Sequence, residues 1–192
     1  MDDSVIKIIT QKKLDSLGAK HLHVRARKKL NRYNLAADIL AIAVPVLYFV
    51  PRYLLKGTQY GTYVEAGWEC IAAVLIVLIV AKIACKWEER AQSHSKLLGE
   101  NISLVRQADE LLIESGLPDT VQLFLRLAEK SETADREVIG EPSDKDKRYA
   151  YREGLKELGD SSVRCDICGA SPWKFKPGSC QLCGNTPIKM NA

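Results

Sequence analysis

The sequence predicts a mainly α-helical fold: a membrane hairpin of two transmembrane helices, cytoplasmic helices flanking it, and a small C-terminal zinc ribbon with four cysteine ligands. Three observations predict it. The apolar residues are concentrated in two blocks between Leu35 and Lys86, the basic residues crowd one side of those blocks, and Cys-x-x-Cys-Gly occurs twice near the end. Average composition hides this organisation, because 46% hydrophobic and 27% charged residues with a formal charge of +4 describe an ordinary globular protein. The expected organisation is a basic amphipathic segment over 1–32, the hairpin over 33–87 and a helical region over 88–136. A linker with a short helix follows over 137–162, and the cysteine module occupies 163–192.

The first apolar block runs from about Tyr33 to Leu55 and the second from Trp68 to Trp87. Crossing the hydrocarbon core takes roughly 20 helical residues, and both blocks fit once their amphipathic ends are counted. Trp68 and Trp87 bracket the second block. At about 1.5 Å per residue they lie roughly 28 Å apart, one at each interface. A secretory signal peptide fits poorly, since the first block begins deep in the chain and another span follows at once. A buried hairpin in a soluble protein fits poorly too. The polar remainder is too small to cover two helices that are apolar all round.

Loop charges set the orientation. Lys20, Arg25, Arg27, Lys28, Lys29 and Arg32 precede the first block, whereas the connection over Pro51 to Gly67 holds only Arg52 and Lys56 against Glu65. Both termini are therefore expected in the cytoplasm. The basic stretch would also contact anionic lipids; nucleic-acid binding is the weaker reading. Asp38 and Lys82 lie at similar depth near the inner ends of the spans. Either they pair, within or between subunits, or Lys82 snorkels alone to the headgroups. Pro45 is expected to kink or loosen the first helix.

Val5 to Leu17 has a moderate amphipathic pattern, and His21 to Asn31 is expected to continue helically into the first span. Glu88 to Ser115 reads as a long helix continuing from the membrane, with Leu98, Ile102, Val105 and Leu112 on one stripe, widened by Leu97, Leu104, Ala108 and Leu111. Gly116, Leu117 and Pro118 end it. A second helix over Asp119 to Ser131 carries Val121, Phe124, Leu125 and Ala128. These stripes would pack within one subunit or between subunits. Glu137 to Arg148 reads as a linker, Asp146 to Leu158 as a short helix, and Gly159 to Ser162 as a hinge.

The C-terminus reads Cys165-Asp-Ile-Cys168-Gly169 and Cys180-Gln-Leu-Cys183-Gly184, with eleven residues between the pairs. Each motif forms a tight turn that converges two thiolates on one ion, and two such turns supply the four soft ligands of tetrahedral zinc. The separation is shorter than the usual zinc-ribbon range, and a compact hairpin through Pro172, Trp173, Phe175, Pro177 and Gly178 would bridge it. Disulfides are the competing reading, which a reducing cytoplasm disfavours. Four cysteines close the coordination, so Zn2+ bound by Cys165, Cys168, Cys180 and Cys183 is expected to be structural. Trp173 and Phe175 alternate with Lys174 and Lys176, a surface suited to a protein or nucleic-acid partner. Cys70 and Cys85 read as small apolar residues of the second span.

The basic helix, two close spans and following cytoplasmic helix over His21 to Lys130 resemble the SLATT family of two-helix membrane effectors. The tail, Cys165, Cys168, Cys180 and Cys183, resembles the mobilome CxxCx(11)CxxC proteins of bacterial mobile elements. The resemblance implies a bacterial inner-membrane effector in antiphage or mobile-element defence. It implies that such a protein oligomerises and forms a pore when a partner sensor fires. A membrane-anchored adaptor whose ribbon recruits a partner is the alternative. Enzymatic activity is not expected. His21, His23 and His94 form no recognised arrangement: the first two are expected to be solvated or interfacial, and His94 to lie on a polar helix face. No small-molecule substrate is evident.

Overall fold

The computed structural model of the chain describes residues 2–54, 59–114, 117–159 and 162–188. Five helices follow in order: α1 (Asp3–Leu54), α2 (Gln59–Ala84), α3 (Trp87–Glu114), α4 (Pro118–Ile139) and α5 (Asp144–Leu158). Among the described residues there is no β-strand, only an isolated antiparallel bridge between Pro177 and Asn185. Two compact units emerge, Arg27–Gln92 and the pair of segments Met1–Ala26 and Ser93–Ala192.

Arg27–Gln92 is a helical hairpin. The second half of α1 and α2 run antiparallel, as three contacts establish. Tyr33 packs on Trp87 with ring centroids 5.6 Å apart, Lys82 Nζ donates to Asp38 Oδ1 at 2.5 Å, and Tyr48 stacks on Trp68 at 4.1 Å. Of the two alternatives for Asp38 and Lys82, the pair within one chain is the one that forms. The α1 helix stays helical through Pro45. Both helices are long and apolar enough to cross a membrane, and only 6% of each apolar window is buried. Ile42 is 71% exposed, Leu47 69% and Val77 68%. Burying each such side chain is worth roughly 1.5–3 kcal/mol, so a hairpin left this bare in water is unfavourable.

Two boundaries differ from expectation. The connection expected over Pro51 to Gly67 is shorter, because α1 continues to Leu54 and α2 begins at Gln59. Lys56, and the side chain of Glu65, lie outside the described residues. The second span and α3 are not continuous either. Lys86 adopts a left-handed backbone (φ 50°) and the chain turns at Cys85–Lys86 before α3 starts on Trp87. A non-glycine residue rarely takes that conformation, and no Gly or Pro marks the turn in the sequence.

In the other unit, Ile9 of α1 packs with Leu104, Ala108 and Leu111 of α3 and Val121, Phe124 and Ala128 of α4. The α4 stripe is the one read from the sequence. On α3 the buried face is the one expected only to widen the stripe: Leu97, Leu104, Ala108 and Leu111 are buried, Leu112 packs at the edge, and Ile102 is 50% exposed. Both stripes pack within one chain. Lys13 Nζ reaches Asp109 at 2.6 Å and Lys12 Nζ reaches Glu132 at 2.9 Å, closing the edges of the α1–α3–α4 bundle. Helix α5 lies on α1, where Gly154 permits the approach. A Cβ there would sit 3.1 Å from Leu14 Cδ1 and 3.3 Å from the Gly18 nitrogen. Lys20 pairs with Glu157, and Arg25 Nη1 with Asp146 at 3.0 Å, so part of the basic stretch is engaged with α5.

The segment read as a linker over Glu137 to Arg148 is mostly helix. Its charged residues continue α4 to Ile139 and begin α5 at Asp144, which leaves four residues between them. Gly140 (φ 74°) closes α4 by donating its N–H to the Arg136 carbonyl at 2.9 Å. Ser143 caps α5, its Oγ accepting from the Asp146 N–H at 3.3 Å. Pro118 opens α4 at a position where its missing N–H costs nothing. Gly116 and residues 160 and 161 of the expected hinge lie outside the described residues.

Candidate metal centre

Each cysteine pair sits on a tight turn. Gly169 N–H donates to the Cys165 carbonyl at 2.8 Å and Gly184 N–H to the Cys180 carbonyl at 2.9 Å. Both glycines have positive φ (65° and 72°), a backbone that a side chain would strain. The turns are locked together through Asn185, which is 1% exposed. Its Oδ1 accepts from the Lys176 N–H at 2.6 Å and its Nδ2 donates to the Ser171 carbonyl at 3.1 Å.

The result is convergence. The Sγ atoms of Cys165, Cys168, Cys180 and Cys183 all lie within 4.8 Å of one another, and every one is buried. Cys165 and Cys180 Sγ are 3.9 Å apart, Cys168 and Cys183 Sγ 3.4 Å. Both separations are far longer than a disulfide bond. Tetrahedral zinc with Zn–S near 2.3 Å places its sulfurs about 3.8 Å apart, so the four thiols fit an ion of that size.

The chain matches the family described as Mobilome CxxCx(11)CxxC protein over residues 7–186. It belongs to that family. No curated protein and no solved structure matches it.

In this mobilome protein the thiols differ electrostatically. Burial pushes Cys180 upward, but the backbone N–H groups of Cys183 and Leu182 and the facing thiols outweigh it, bringing the thiol down to about 6. Burial pushes Cys168 and Cys183 up. Cys180 is therefore the thiol of the four that ionises most readily, and the thiolate is the form that binds metal. Helix α5 supports the cluster. Leu155 of α5 and Leu14 of α1 share its core, Arg152 Nη1 donates to the Cys183 carbonyl at 3.2 Å, and Arg148 Nε to the Gln181 carbonyl at 3.2 Å. The Arg152 guanidinium also stacks 4.0 Å from the Phe175 ring centre. Trp173 and Phe175 remain 42% and 47% exposed. Of the other cysteines, Cys70 lies exposed on α2, and Cys85 falls in the turn beyond it.

A second cluster departs from the sequence expectation. His23 and His94 are not solvated; they are 0% and 6% exposed and meet in the interior. Their Nδ1 atoms lie 2.8 Å apart, so one donates and the other accepts. His23 Nε2 lies 2.8 Å from Asp135 Oδ1, and Asn101 Nδ2 donates to both oxygens of that carboxylate at 3.0 and 3.1 Å. The chain of contacts links α1, α3 and α4. Position on the amphipathic stripes is the signal available in the sequence. His94, Asn101 and Asp135 lie on the same helix faces as Leu97, Leu104, Ala128 and Ser131, where a polar residue must find a partner. His21 instead lies beside Glu157, Nε2 to Oε1 at 2.7 Å.

Proposed function

We propose that this chain is an inner-membrane effector with both termini in the cytoplasm, which oligomerises and opens or disrupts the membrane in mobile-element or antiphage conflict. The carrying observation is the hairpin. Its helices expose nearly all their apolar surface, and the one described ion pair between them, Asp38–Lys82, occupies the ends predicted to lie inside. Lipid satisfies that surface, and neighbouring copies satisfy what lipid does not. Two helices enclose no aqueous path alone, so conduction requires assembly with other copies. The SLATT resemblance supports this reading through architecture, and the mobilome family supplies the mobile-element setting.

The cysteine centre holds Zn2+ in a structural role. Cys165, Cys168, Cys180 and Cys183 supply all four ligands, and a coordination sphere closed in this way leaves no position for water or substrate. A sensor protein acting through the cytoplasmic unit is the natural trigger, and no catalytic step is assigned. The adaptor reading is favoured by one observation, the exposed Trp173 and Phe175 beside Lys174 and Lys176, which suit a recruited protein or nucleic acid.

Induction of the full chain in bacterial cells under activating conditions tests the proposal, with a potential-sensitive dye and native mass spectrometry in detergent as readouts. Depolarisation together with an oligomer supports the effector. A monomer with intact membrane potential, inactivated by deleting residues 160–192, supports the adaptor.

A further inference from the structure

The core around the cysteines closes without its aromatic residues. Pro172 is fully buried, and Ala170, Leu155 and Leu14 pack with the four cysteines. Trp173 and Phe175 take no part in that cluster and belong to an exposed run from Trp173 to Ser179. Phe175 is nevertheless held in place. The Arg152 guanidinium that covers its ring also lies 5.9 Å from the Tyr149 ring centre, which Arg25 approaches at 5.1 Å. The uncovered face of Phe175 is therefore presented to solvent on a stacked support that reaches from α1 across α5.

Charge decides the occupant. Lys174 and Lys176 flank Phe175, both are exposed, and neither forms an ion pair among the described residues. Asp166, the one acid of the module, accepts from the Tyr151 hydroxyl at 3.2 Å. Four thiolates on Zn2+ give the buried centre a net negative charge, which Arg148 and Arg152 offset from the Gln181 and Cys183 carbonyls. Lys174 and Lys176 remain as uncompensated cations beside the rings. A protein interface would seat such rings in a core depleted of charge, lysine included. Here cations and rings alternate residue by residue, as in surfaces that stack bases while neutralising phosphates. A duplex stacks its bases on one another and opens its grooves to a helix or a two-stranded ribbon. The 173–176 run belongs to neither.

We propose that this face binds single-stranded nucleic acid, Trp173 and Phe175 stacking unpaired bases while Lys174 and Lys176 take the phosphates. The inference rests on the surface that favours the adaptor reading and names its partner; it holds equally where that contact triggers the effector.

The full-length, zinc-loaded protein in neutral detergent is titrated with labelled oligothymidylate, oligouridylate and a DNA duplex of equal length, reading anisotropy and tryptophan emission. Both single strands should bind with Kd below about 100 μM at physiological salt and quench the emission. Trp173→Ala and Phe175→Ala should each weaken binding about 5- to 140-fold, the loss of one stacked base, and Trp173→Ala should abolish the quenching. Zinc content and the unfolding midpoint should stay, since neither ring belongs to the cysteine core. Lys174→Gln with Lys176→Gln should flatten the log–log salt dependence by about 1.4. The basic stretch Arg27 to Arg32 also attracts phosphates, but these substitutions leave it intact. Absence of single-strand binding overturns the proposal, as do wild-type affinity in both aromatic variants and a duplex bound as tightly as the single strands. Polyglutamate or micellar phosphatidylserine that displaces the oligonucleotide as strongly as its unlabelled form, at equal charge, overturns the nucleic-acid assignment. Depolarisation and the deletion of residues 160–192 test the readings above, so a failure here leaves those standing.

Discussion

The hairpin and the cysteine-bearing unit differ in how they place their apolar and polar residues, although helices dominate both. In Arg27–Gln92 the apolar side chains face outward and Asp38–Lys82 is the described ion pair across α1 and α2. In the other unit the apolar side chains face inward, and His23, His94, Asn101 and Asp135 are buried with them. The difference teaches which solvent each pattern suits. Backbone satisfaction within helices suffices in lipid, whereas a unit folded in water gains stability only by hiding its stripe. It also shows where specificity resides. Greasy outer surfaces tolerate many sequences, but a buried network and a metal centre each fix one arrangement.

The sharpest test of that contrast is the metal. Structural zinc sites of this kind contribute on the order of 10 kcal/mol of apparent folding free energy. Cys180→Ser, or treatment with a strong chelator, should release the ion and unfold residues 163–188. Metal analysis and limited proteolysis in detergent read both effects. Helical content of the hairpin should not change, since the cysteine core draws on Leu14, Tyr151 and Leu155 and on no residue between Arg27 and Gln92. The pH dependence follows from the thiols. Metal binding displaces protons from the raised thiols of Cys168 and Cys183, so zinc affinity should already fall as pH drops across the neutral range. The fall should steepen below about 6, where Cys180 takes up a proton as well.

Core truncation comes next. Phe124 is 2% exposed in the α1–α3–α4 core, and Phe124→Ala should cost about 3–5 kcal/mol in thermal unfolding of the cysteine-bearing unit. Leu47→Ala, at a site 69% exposed on the hairpin, should leave that transition where it was. Equal losses at the two positions would erase the distinction between the units.

A smaller effect is expected from the buried polar network. Asp135→Ala removes the acceptor of His23 Nε2 and leaves that buried donor unpaired, at about 1–3 kcal/mol, while Asn101 Nδ2 keeps its bond to the Leu97 carbonyl at 3.1 Å. Thermal unfolding measures the loss. A change in the ring ¹⁵N shifts of His23 and His94 distinguishes network disruption from general loosening.

Much of the contrast between the units is legible in the sequence. The two apolar blocks, the stripe ending in Leu111 and the paired Cys-x-x-Cys-Gly turns are visible there, because period and spacing report them directly. The turn at Lys86 is not, since a left-handed lysine leaves no composition signal. Over Glu137 to Arg148, dense charge with Gly140 and Pro142 has the composition of a linker. The helices persist there because Glu132 and Arg136 pair across one helical turn and Ser143 caps the next helix. Most instructive are His23 and His94. They lie 71 positions apart, and only packing of α1 against α3 makes one a partner for the other.

The smallest expected effect lies at the edge of the α1–α3–α4 bundle. The Lys12 ammonium donating to Glu132 outweighs its desolvation and, aided by Arg136, holds the carboxyl below the usual value of 4.5. A carboxyl depressed in the folded state stabilises the protein above its unfolded value, and that contribution is lost as pH falls through the folded one. Glu132 is 41% exposed, so the contribution is screened and at most about 1 kcal/mol. Glu132→Gln should therefore lower the unfolding midpoint slightly at pH 7, and the difference from wild type should shrink toward zero below pH 4.5. Zinc loss at acid pH affects both proteins alike and cancels in that difference. A gap that persists or widens in acid would mean that Glu132 acts through packing rather than charge.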